Sequence, residues 1–261
     1  MEINTTTKDI VDIAMAKLKN GEPMSHLRCG DGEIAIMNPN KFPSEFEMFS
    51  KRHLGYKINL DVGHEIKKLI EFGIINSDIL GLPDFRHTEH PSNKLWKIIG
   101  EEYTRVFDSY KIVKSDKKYC SIHSHYNLLK SGELDVLIKS VDKITLITCR
   151  NIENEFKRRF ENIRTVELML IPPQQKYEIV SRKSDFFPDV HDKVVDSIRS
   201  SPRNGQLCLF GSGFCGKDFG AHFKIAGGVA IDVGSVFDLW CGKLTRGKGK
   251  GKTARIEDYV L

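Results

Sequence analysis

The stretch Gln206-Leu207-Cys208-Leu209-Phe210-Gly211-Ser212-Gly213-Phe214-Cys215-Gly216-Lys217 decides the fold class of this chain. Its first five residues are a short β-prone run, the glycines turn the backbone, and residues 217–225 carry a helical pattern. This is a G-x-G-x-x-G turn in strand-to-helix context. Glycines admit close backbone approach to a phosphate, and a helix N-terminus offers unpaired N–H groups and a favourable dipole. Outward from this unit, β-prone runs recur at residues 118–122, 143–148, 166–171 and 229–233, with helical spacing at 153–160 and 190–200 between them. Strands alternating with helices predict a Rossmann-like α/β fold, a mainly parallel sheet with helices on both faces. The first half predicts helices at 8–18 (capped by Thr6 or Thr7), 34–37, 62–72 and 96–107, and strands at 25–29 and 78–82. Residues 41–60 read as mixed. No repeat or linker splits the chain, so one domain over residues 1–261 is expected, with a basic Gly/Lys-rich segment at 243–255.

Composition fits that reading. The 261 residues are 40% hydrophobic and 29% charged, ordinary for a globular protein. Much of the net charge of +5 lies in the late segment carrying Lys243, Arg246, Lys248, Lys250, Lys252 and Arg255. A basic balance suits an anionic partner: a nucleotide, a nucleic acid or an anionic membrane surface. The segment has no interleaved aromatics, so a base-stacking nucleic-acid site is not expected. Six scattered cysteines without a C-x-x-C pair suit reduced thiols. The N-terminus lacks a signal-peptide pattern, and no apolar run reaches membrane-span length. A cytoplasmic location is expected, with peripheral association at the inner membrane face compatible.

A second stretch carries chemistry. Arg28-Cys29-Gly30-Asp31-Gly32-Glu33 places two carboxylates two residues apart between glycines, directly after an apolar run. On a tight turn, Asp31 and Glu33 can face one divalent cation, with Arg28 beside the anion such a cation binds; Mg²⁺-type ions use one or two carboxylates plus substrate phosphates. The bland alternative is a solvated surface turn. Asp232, on the strand after the glycine turn, stands at the spacing of a ribose-binding acid. An NAD(P)-binding oxidoreductase therefore competes, although only 28 residues follow Val233. In an extended segment His123 and His125 would share a face, a pair of metal ligands with no third at diagnostic spacing. Pro172-Pro173-Gln174-Gln175 forms a stiff loop at a strand end, where ligand crevices of parallel sheets lie.

Together, the R-x-G-D-G-E stretch and the late segment 211–247 resemble the GT-D fold glycosyltransferases. Gly228-Val229-Ala230-Ile231-Asp232-Val233-Gly234-Ser235 looks like that family's late strand and turn. The resemblance implies transfer of a sugar from a nucleotide-diphosphate donor, a UDP-sugar by preference, to a glycan or other hydroxyl acceptor, with Mn²⁺ or Mg²⁺ as cofactor. It implies metal-site roles for Asp31 and Glu33, with Asp31, Glu33 and Asp232 catalytic. It implies substrate contacts from Arg28, Gly211, Gly213, Lys217 and Ser235; the residues themselves add Gly30 in the same turn, His125 as a substrate hydrogen-bonding group or a plain strand end, and Gln174 as a base or sugar contact or a simple turn. Just before Tyr126, where the resemblance leads one to look for an arginine, the chain has His125. A role in polysaccharide biosynthesis rests on the same analogy; no nucleic-acid partner is expected, and the non-enzyme alternative is a basic nucleic-acid-binding protein acting through residues 243–255.

Overall fold

The computed structural model describes residues 3–83, 94–109, 117–174 and 186–243. The basic segment beyond Lys243 and the loop after Pro83 lie outside the described residues. Helix α1 (Thr7–Asn20) opens on Thr6, whose hydroxyl accepts the Asp9 N–H while the Asp9 carboxylate takes the Thr6 N–H, and it ends on Gly21 at φ +66°. Then follow β1 (Met24–Arg28), α2 (Asp31–Met37), α3 (Pro43–Leu54), α4 (Leu60–Asn76), β2 (Ile79–Leu82), α5 (Lys94–Ser109) and β3 (Lys118–Ser121). The second half runs α6 (Ser124–Lys130), α7 (Glu133–Lys139), β4 (Lys143–Thr148), α8 (Glu153–Arg159), β5 (Thr165–Leu170), α9 (His191–Arg199), β6 (Leu207–Phe210), α10 (Phe219–Ile225), β7 (Val229–Asp232) and α11 (Val236–Trp240).

The strands form one seven-stranded sheet in the order β3-β2-β1-β7-β6-β4-β5, and every described pairing is parallel. Strands β2, β6 and β7 are buried along their whole length, as an all-parallel sheet covered on both faces requires. Two apolar clusters fill those faces. One packs Ile34, Phe49, Ile70, Tyr103 and Phe219, the other Ile10, Leu137, Phe156 and Trp240. Because the strands run the same way, all their C-terminal ends share one edge, and β1 and β7 meet near its middle.

Three differences from the sequence reading bear on the site. Residues 43–54 form a full helix; its inward positions include Ser50 and His53, which read as polar and hide the periodicity. The segment after β3 turns into α6 at Ser124 instead of staying extended, so His123 and His125 do not share a strand face. Residues 213–216 make a 3₁₀ turn and α10 starts only at Phe219, so Lys217 precedes the helix predicted to contain it. Among the described residues no helix is long and apolar enough to cross a membrane.

Candidate active site

Arg28, the last residue of β1, organises the central strand ends. It pairs in register with Gly81 of β2, where a Cβ would stand 2.9 Å from its side chain. On the other side it passes Gly234, at φ +49°, where a Cβ would lie 2.0 Å from Nη2. Two glycines thus form a slot for one guanidinium. Its Nη2 donates to Asp232 Oδ1 at 3.0 Å, its Nε to the Asp232 carbonyl at 3.1 Å, and its Nη1 to the Ile122 carbonyl at 3.2 Å and to His125 Nδ1 at 2.6 Å. Arg28 and Asp232 are 204 residues apart in sequence, and this fork ties the first strand to the last.

Lys217 completes the network. The 3₁₀ turn delivers its ammonium beneath the strand ends, where it donates to Asp232 Oδ2 at 2.8 Å and the Arg28 carbonyl at 2.7 Å and lies 3.2 Å from Glu33 Oε1. Arg28, Lys217, Asp232 and Glu33 make a charge-balanced quartet whose side chains are at most 12% exposed. Burial alone would raise the Asp232 carboxyl and lower the Lys217 ammonium. The opposite charges outweigh burial, so Asp232 is held well below the usual carboxylate range and Lys217 above the usual lysine value.

The local fold explains the Asp31-Gly32-Glu33 stretch. These residues are the first turn of α2, not a turn before it. Residues two apart on a helix do not face the same way. Glu33 reaches back to accept the Gly30 N–H at 2.8 Å, which caps the helix, and Tyr103 donates to the Gly30 carbonyl at 2.7 Å. Glu33 is 8% exposed, so the stretch is not a solvated turn. Asp31 is half-buried, with Oδ1 accepting the Gly32 N–H at 3.0 Å.

All eleven residues singled out above line one cleft of about 420 Å³ at the C-terminal edge of the sheet. Arg28, Gly30, Asp31 and Glu33 come from the β1–α2 junction, Gly211, Gly213 and Lys217 from the segment after β6, and Asp232 and Ser235 from β7 and its turn. His125 enters on α6 and Gln174 from the loop after β5. The glycines are close-packing positions: a Cβ on Gly211 would lie 2.4 Å from the Gly234 carbonyl oxygen, and one on Gly213, at φ +62°, 2.5 Å from the His53 ring. Burial first, and then the Arg28 charge, hold His125 well below the ordinary histidine value, so it is neutral. Its ring lies 3.9 Å from that of Tyr126, whose hydroxyl shares a 2.7 Å hydrogen bond with Ser235.

Sequence reasoning did not pick out Gly81, Gly234, His53 or Arg150. Arg150 contacts Asp238 at 2.8 Å in the cleft, and His53 lies 4.4 Å from the Phe214 ring. Gly234 sits inside the quoted late segment, but its role becomes legible only once β1 is known to lie beside β7. The geometry also weighs against a dinucleotide reading. Asp232 is 2% exposed and both its oxygens are engaged by Arg28 and Lys217, so its carboxylate is committed to that network before any ribose arrives. Among the described residues, no group of three or more His, Cys, Asp or Glu side chains is gathered around a metal position.

Comparison with known proteins agrees with this architecture. The GT-D-like family, described as a GT-D fold-like domain, matches residues 5–240. No curated protein matches the chain. Among solved structures, a selenomethionine-substituted domain of unknown function 1792 aligns with a TM-score of 0.51 at 14% identity, covering 95% of this chain and 87% of its own. A second, described as a highly conserved domain of unknown function 1792 with a distinct glycosyltransferase fold, aligns at 0.50 with the same identity and coverage. At 14% identity the likeness is one of fold alone. With an all-parallel seven-stranded sheet and the strand-end cleft in place, the chain belongs to the GT-D-like glycosyltransferase fold family.

Proposed function

We propose that this protein transfers a sugar from a nucleoside-diphosphate donor to a hydroxyl of a glycan acceptor. The observation that carries the reading is the convergence of the Asp31 turn and the Gly211–Lys217 segment on one cleft at the C-terminal edge of a parallel sheet. Such edges are where open α/β sheets bind ligands. A cleft of about 420 Å³ falls within the roughly 300–1,000 Å³ of small-molecule sites.

The lining divides by chemistry. The adjoining His53 and Phe214 rings, with Gln174 beside Gly213, offer an apolar ring surface and an amide suited to a nucleobase. Asp31, His125 and Ser235 line the polar part, suited to diphosphate and sugar. A Mg²⁺- or Mn²⁺-type ion needs only one or two carboxylates when substrate phosphates complete its shell, and Asp31 fits that donor set. When bound, the cation would neutralise charge growing on the departing diphosphate. Glu33, which caps α2 and faces Lys217, sets the position of Asp31 rather than serving as a second ligand. Asp232 and Asp238 are tied to Arg28, Lys217 and Arg150, which makes both poor general bases.

The test is thermal shift with UDP, GDP, CDP and NAD, each with and without Mn²⁺. Metal-dependent stabilisation by one nucleoside diphosphate supports the transferase and names its base. Metal-independent stabilisation by NAD alone would sink it.

A further inference from the structure

The contact between Arg28 and His125 has a consequence for substrate recognition. A guanidinium carries only N–H donors, so at 2.6 Å from Arg28 Nη1 the Nδ1 of His125 must be the acceptor. An imidazole whose Nδ1 accepts is neutral and carries its proton on Nε2. Arg28 cannot turn away, because Gly81 and Gly234 enclose it and its other donors hold Asp232 and the Ile122 carbonyl. The His125 ring is itself clamped, 5% exposed and 3.9 Å from the Tyr126 ring. His125 lines the same cleft as Asp31 and Ser235.

We infer that Arg28 is a positioning residue that locks His125 as a neutral Nε2–H donor, and that His125 donates this hydrogen bond to an oxygen of the bound diphosphate. The second half rests on the function proposed above; the tautomer does not. Arg28 therefore acts on the donor through His125 instead of touching phosphate. A neutral donor keeps its hydrogen bond without titrating, whereas a histidine of ordinary pKa would change charge near neutrality. The charged and titratable groups around His125 are Arg28 on β1, Asp232 on β7 and His123 at the start of α6. Arg28 and His123 oppose a second positive charge on the ring; Asp232 and the Ile122 carbonyl favour one, but both already accept from Arg28.

Long-range ¹H–¹⁵N spectra of histidine-labelled full-length protein read the tautomer without any ligand. The expected result is a His125 signal with protonated Nε2 and bare Nδ1, unchanged from pH 8 to pH 5.5. An Nδ1–H tautomer, or a midpoint near 6.5, would overturn the inference. In Arg28→Met the lock is gone, and both tautomers should appear with a midpoint moved toward the ordinary value; if that variant does not fold, the wild-type spectrum decides.

Binding of UDP with Mn²⁺, by calorimetry, tests the second half. Gln offers an acceptor to Arg28 and a donor near the Nε2 position, so His125→Gln should keep affinity within about threefold. His125→Leu should lose about tenfold or more, as expected for a hydrogen bond to a charged group. Equal affinity in both variants would overturn the donor role. A correct tautomer with no nucleotide bound by the wild type would overturn the diphosphate assignment and the proposed function together, leaving the Arg28 lock standing.

Discussion

Removing the Lys217 ammonium tests whether the site floor is a balanced unit. The quartet holds two positive and two negative side chains, with exposures of 6% for Lys217, 3% for Asp232 and 11% for Glu33. Lys217→Met fills similar space but leaves two buried carboxylates facing the single charge of Arg28. Breaking a buried ion pair from one side costs about 3–5 kcal/mol, because the remaining charge stays desolvated. For a chain of this size that is a fall in Tm of roughly 10 °C. Lys217→Met combined with Glu33→Gln restores parity, since Arg28 then faces Asp232 alone and the new amide oxygen can still accept the Gly30 N–H. The double variant should therefore be more stable than Lys217→Met, with a coupling energy of about 1–3 kcal/mol. Urea unfolding of the four proteins, fitted with a common m-value, measures the cycle. A single-variant loss below about 1 kcal/mol, or strict additivity, would refute the buried-quartet argument.

Three further outcomes follow from the same geometry. His26 is fully buried, and burial holds its imidazole down to about 3. The unfolded chain takes up a proton below about 6.5 and the folded protein does not, so stability is present above that pH and is lost as pH falls toward 3. Between pH 7 and 5 this amounts to about 2 kcal/mol, and urea midpoints should show that part of the drop missing in His26→Gln. Gly234→Ala, at φ +49° with its Cβ in the path of Arg28, should cost about 2–4 kcal/mol. Gly132→Ala, at φ +75° with open space, should cost only about 1–2 kcal/mol; equal losses would dissolve the argument for an Arg28 slot. Asp31→Asn should abolish Mn²⁺-dependent nucleotide binding with a Tm within a few degrees of wild type, since this half-buried side chain lies outside the quartet. Retained metal dependence would remove the cation from Asp31.

The sheet was legible because most of its strands are short apolar runs, and burial on both faces leaves their sequence little latitude. The residues around the cleft were legible because glycines and charges directly after such strands are unusual punctuation. What the chain could not disclose was how those charges pair. Asp31 and Glu33 read as one cation site, yet a helix starting at Asp31 sends them apart and turns Glu33 into a cap. Lys217 read as a phosphate-facing residue at a helix start. The 3₁₀ turn before it instead aims the ammonium at Asp232, a contact that depends on β7 lying beside β1. Helix α3 was hidden because Ser50 and His53 occupy inward positions: Ser50 satisfies its hydroxyl on the Phe46 carbonyl, and His53 packs on Phe214. Gly81 looks like an interruption of β2 until its register partner is known to be Arg28.

Incubating the wild type and Asp31→Asn with UDP-, GDP- and CDP-sugars, Mn²⁺ and a mixture of mono- and oligosaccharides whose hydroxyls can take up the sugar, and measuring the free nucleoside diphosphate released, tests the account most directly. It predicts that one donor is turned over by the wild type, that chelation stops the reaction, and that Asp31→Asn is at least a hundredfold slower, a loss of about 2.7 kcal/mol in transition-state stabilisation. Release at equal rates by both proteins, or from none of the donors, would contradict it.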